Sequence, residues 1–66
     1  MKLRFLGTTS QEGQCPTLYA TDRDTYVIQG WAVTDPEALA DLRDVVSGER
    51  FVEIPKALLR FGEGDR

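Results

Sequence analysis

The chain has 66 residues, 41% of them hydrophobic and 29% charged, and its eight basic and eleven acidic side chains leave a net charge of −3. This composition excludes a disordered chain, and scattered Lys and Arg residues under an acidic balance make direct nucleic-acid binding unlikely. One cysteine and no histidine exclude a disulfide framework and a Cys/His zinc site.

One small domain, residues 1–66, is expected, with 62–66 as a frayed tail. Ordering costs on the order of 1.5 kcal/mol per residue, and burial barely exceeds that in so short a chain. Association, with a second copy or another protein, is the usual remaining source of stability. No apolar run approaches the roughly 18 residues of a membrane span. MKLRFLG carries charges but no apolar h-region, so no export signal is expected. A lone free cysteine then fits the cytoplasm.

KLRFL alternates Lys2 and Arg4 with Leu3 and Phe5, the period of a half-buried strand. GTTSQEGQCP, from Gly7 to Pro16, reads as a long loop of small polar residues, and long loops are often contact sites. TLYATDRDTYVIQGW follows and reads as a hairpin. A three-residue loop at Asp22, Arg23 and Asp24 sets Ala20 against Tyr26, Tyr19 against Val27 and Leu18 against Ile28. A two-residue loop would mix the apolar faces, so the first register is preferred. Asp24 must then take the left-handed conformation usually given to Gly. One face collects Leu18, Ala20, Tyr26, Ile28, Gly30 and Ala32. The other collects Tyr19, Thr21, Thr25, Val27, Gln29, Trp31 and Val33.

TDPEALADLRDVVSGE predicts the main helix. Asp35 serves as N-cap and Pro36 as first helical residue, although Thr34 with Glu37 also fits a capping box. Ala38, Leu39, Leu42, Val45 and Val46 form its apolar stripe, and Gly48 ends it. The stripe is expected to pack on the small residues Gly30 and Ala32. ERFVEI reads as a fourth strand, Arg50–Ile54. Pro55 stops it and starts a last helical turn, PKALLRF. The expectation is an α+β fold of order β-β-β-α-β-α, with strands three and four parallel across the helix if they are neighbours.

The face of Tyr19, Val27 and Trp31 is too apolar for a plain solvent face. Three readings account for it: ALLRF folds back over it, a second copy covers it, or a different protein does. The candidate contact residues are Tyr19, Val27, Gln29 and Trp31, with Thr8, Thr9, Ser10 and Gln11 from the loop Thr8–Gln14, whose hydroxyls and amides hydrogen-bond adaptably.

Catalytic and ligand motifs are weak. Asp22 and Asp24 lack the further oxygen ligands of a calcium loop, and a turn explains them better. Cys15 has no histidine base, so it reads as a structural thiol. GTTSQEG has no P-loop spacing. The chain is therefore read as no enzyme, with no cofactor.

FVEIPKALLR is similar to the strand–Ile-Pro-Lys–helix stretch of AbrB/MazE-type DNA-binding domains, but that family continues with strands for which FGEGDR offers no pattern. A longer stretch, from Phe5 to Leu39, resembles short uncharacterised actinobacterial proteins, notably streptomycete ones, often encoded beside helix-turn-helix regulators; PTLYATDRDTYVIQGW is its specific part. The resemblance implies a cytoplasmic regulatory or accessory role and supplies no catalytic residues. The leading expectation is a non-enzymatic protein-interaction module, an accessory to a transcriptional regulator. The alternatives are a DNA-binding dimer using Lys2, Arg4, Lys56 and Arg60, and a small ligand-binding protein or enzyme.

Overall fold

The turn at Asp22–Asp24 organises the first sheet. In the computed structural model, which describes residues 1–11 and 15–64, three antiparallel strands follow one another: β1 (Leu3–Thr8), β2 (Thr17–Thr21) and β3 (Tyr26–Gln29). The β2–β3 register is the expected one, with Leu18 opposite Ile28, Tyr19 opposite Val27 and Ala20 opposite Tyr26. The Thr21 amide donates to the Thr25 carbonyl at 2.9 Å, which closes a loop over the three charged residues. Asp24 takes φ 60°, as that loop requires. The Thr21 hydroxyl accepts from the amides of Arg23 (3.0 Å) and Thr25 (3.3 Å), so the turn's own side chains replace the missing glycine. β1 pairs with β2 from Leu3 opposite Thr21 to Thr8 opposite Thr17, and a register shift between Phe5 and Gly7 leaves Leu6 as the extra residue.

The core lies on one face of this sheet. Leu18 and Ala20 are buried there beneath Leu58, which is 0% exposed. Leu58 belongs to a seven-residue 3₁₀ helix, Lys56–Gly62, entered through Pro55. Three residues per turn bring Leu58 and Phe61 to the same side. Phe61 lies over Gly7 so closely that a Cβ there would sit 2.2 Å from its ring carbons. The Tyr26 hydroxyl donates to the Gly62 carbonyl at 3.1 Å, so Gly62 is anchored rather than part of a frayed tail; Asp65 and Arg66 lie outside the described residues. The cover is therefore ALLRF, on the face expected for the main helix and not on the Tyr19 face.

Gly30 ends the first sheet. Beyond it β4 (Trp31–Ala32) pairs with β5 (Val52–Glu53) in a second, two-stranded sheet, antiparallel and not parallel as expected. The Val33 amide donates to the Phe51 carbonyl at 3.1 Å and extends the ladder. Gly30 does mark a close approach: a Cβ there would lie 2.7 Å from Ile54 Cγ2 and 3.0 Å from the Glu53 carbonyl. The element that comes close is the returning strand.

The helix between them, α1, spans only Pro36–Ala40 and buries no residue. Its start follows expectation: the Asp35 carboxylate accepts the Glu37 amide at 3.1 Å. It stops early because its second half opposes it. Asp41 at the C-cap and Asp44 put negative charge at the negative end of the helix dipole, and Val45-Val46 is a β-branched pair. So short a helix needs tertiary packing to persist, and within α1 only Ala38, facing the β4–β5 pair, is half-buried. Asp44 instead turns left-handed at φ 54°, and Gly48 (φ 91°) shapes a turn closed by the Glu49 amide on the Val46 carbonyl at 3.2 Å. A five-residue helix cannot serve as a crossover, so the chain leaves β4 and returns alongside it in the opposite direction.

The molecule is flat, 33 × 28 × 18 Å, with a radius of gyration of 13.2 Å. A globular domain of this length has about 11 Å. Its accessible surface is 5609 Å², against about 4,200 Å² for a folded monomer of this mass.

Candidate functional site

Half of the exposed large hydrophobic residues among those described lie in the arm, Trp31–Glu53, made of β4, α1, the following turns and β5. Trp31 is 52% exposed, and Leu39, Leu42, Val45, Val46 and Val52 are exposed beside it in the chain. By contrast the buried hydrophobic side chains among the described residues are Leu18, Ala20 and Leu58, all outside the arm. An apolar group left in water forfeits about 25 cal/mol per Å² relative to burial. So many adjacent large apolar residues in one segment are unusual for a monomer's surface and ordinary for a surface that is covered in use.

Tyr19, Val27 and Gln29 come together on the uncovered face of the first sheet. Tyr19 lies opposite both Val27 and Phe5. Its ring meets Phe5 edge-on, with centroids 6.3 Å apart at 77°. Its hydroxyl donates to Gln29 Oε1 at 3.2 Å. Phe5, 59% exposed, and Leu3 make this a second apolar patch. Trp31 does not join it. The break at Gly30 puts Trp31 in the second sheet, opposite Glu53, so the single stripe from Tyr19 to Trp31 expected of one long strand is not formed.

The loop residues divide by role. The Thr8 hydroxyl donates to the Pro16 carbonyl and accepts the Ser10 amide at 3.1 Å, which ties both ends of the loop. Thr8 and Ser10 thus serve the fold here. Thr9 is half-buried and Gln11 exposed, while Glu12–Gln14, the rest of the expected contact loop, lie outside the described residues. Cys15, half-buried and free, is joined to Pro16 by a cis peptide bond.

A shallow cleft of about 450 Å³ opens between the start of α1 and the β4–β5 pair, lined by Ala32, Val33, Thr34, Asp35, Ala38, Val52 and Glu53. Asp35 is already committed to capping α1. The cleft is a groove of the arm's surface rather than an enclosed pocket, since none of its lining residues is buried. The arm residues Leu39, Leu42, Val45 and Val46 were expected to be core. Asp41, Asp44 and the Val-Val pair are the sequence signals that argue against a helix long enough to put them there.

No protein-family model matches the chain, and neither does any curated protein or solved structure. Among the described residues no helix is long and apolar enough to cross a membrane.

Proposed function

We propose that the chain is a non-enzymatic protein-interaction module whose contact surface is the apolar side of the arm, anchored by Trp31. The observation that carries this reading is the exposure of six large apolar residues, Trp31, Leu39, Leu42, Val45, Val46 and Val52, within one segment that buries little of itself. Indole rings are favoured anchors at protein interfaces, where a large rigid area is covered at low entropic cost. The role of accessory to a transcriptional regulator, in the cytoplasm, rests on the likeness of PTLYATDRDTYVIQGW to the actinobacterial group. The chemistry of the arm supports the more general reading, since it offers apolar area and carboxylates and no histidine.

The test compares the intact chain with Trp31→Ala and Val46→Glu in binding assays against candidate partners, including a neighbouring regulator. Loss of binding at an unchanged thermal melt supports the arm as the contact surface. Binding that survives both substitutions removes it. Direct DNA binding is separated by a gel shift at two salt concentrations, because phosphate contacts give a steep loss of affinity as salt rises.

A further inference from the structure

We infer that the occupant of the arm is a second copy of this chain, bound reciprocally: the apolar side of each arm covers the Phe5–Tyr19–Val27 face of the other chain's sheet. The inference rests on the interaction reading above and names its partner.

Area is the first support. The chain exposes about 1,400 Å² more than a folded monomer of its mass should. Burying even half of two such excesses gives about 1,400 Å², within the 1,200–2,000 Å² of a standard interface. A 66-residue chain with a core of three buried hydrophobic residues among those described needs such burial to be stable. The second support is that each chain carries two uncovered apolar surfaces of different shape. One is a flat face with the Phe5–Tyr19 edge-on pair, and the other is the arm with Leu39, Leu42, Val45 and Val46. A two-fold axis that seats arm on sheet satisfies both at once, in both chains, and closes the assembly at two copies.

Charge is the third support. From Thr34 to Glu53 six carboxylates face two guanidiniums, a net −4, while the rest of the chain carries six cations and five carboxylates, a net +1. Arm on arm would oppose two acidic surfaces, and arm on sheet avoids that like-charge contact.

Sedimentation velocity of the full chain over a concentration series tests this, with Phe5→Glu and Val46→Glu separately and mixed. Both positions are exposed in the single chain, so Val46→Glu should leave the melt of the dilute monomer unchanged and Phe5→Glu should lower it only slightly, through the lost edge-on pair with Tyr19. The wild type should pass from monomer to dimer, and each variant should weaken the dimer by about tenfold or more. The equimolar mixture should recover dimer, because the intact arm of the Phe5→Glu chain fits the intact sheet of the Val46→Glu chain. A wild type that stays monomeric throughout, or a mixture no better than its parts, overturns the reciprocal dimer. If the monomeric wild type still loses a different protein on Val46→Glu, the interaction reading survives without the second copy.

Discussion

The covered sheet and the arm are built from similar residues and end in opposite states. In the sheet, Leu18 and Ala20 meet Leu58 from residues forty positions away in sequence, and Gly7 and Gly62 let Phe61 and Tyr26 close the contact. In the arm, Leu39, Leu42, Val45 and Val46 are no less apolar, yet their neighbours along the chain are carboxylates and turns, and none of them is buried. Apolar content alone does not make a core. What separates the two regions is whether a second element reaches the apolar face, and the 3₁₀ helix packs on the sheet.

Leu58→Ala should break the comparison most severely. It empties a fully buried site at a cost of about 2–5 kcal/mol, and urea unfolding should show the sheet lost with it. Gly30→Ala sharpens the boundary between the regions. Its Cβ must push away Ile54 and the β5 backbone, at about 1–3 kcal/mol. Hydrogen exchange should then speed up at the Val33 amide while Tyr19 and Val27 stay protected. Asp35→Ala removes the cap of α1, worth about 1 kcal/mol, and circular dichroism should lose helix signal with the sheet's urea midpoint almost unmoved. Tyr26→Phe deletes a half-exposed hydrogen bond to Gly62, about 0.5 kcal/mol. Proteolysis near Gly62 should become slightly faster.

The hairpin was fully legible in the sequence, because alternation and a three-residue turn admit one register that keeps Leu18, Ala20, Tyr26 and Ile28 together. The cap at Asp35 and the left-handed Asp24 and Gly48 were legible for the same local reason. The long-range choices were not. Nothing in PKALLRF says which face of the sheet it covers, because both faces are apolar. The apolar stripe predicts a longer helix because Asp41 and Asp44 lie off it, and their charge acts on the helix end without disturbing the periodicity. The longer helix would bury Leu39, Leu42, Val45 and Val46, which the structure leaves on the surface. Trp31 lies in the second sheet because the chain changes partner strand at Gly30, from β2 to β5, and that change leaves no mark in the alternation.

The most direct test of the arm as an association surface is amide hydrogen exchange at several protein concentrations. Protection in the sheet, at Tyr19 and Val27, should be full at the lowest concentration, while the amides of Val33, Leu39 and Leu42, hydrogen-bonded only within the arm, should exchange faster than these in the dilute chain and slow as copies associate or a bound partner is added. Arm amides that are slow in the dilute single chain would show that the arm already packs on its own molecule, and would contradict the account.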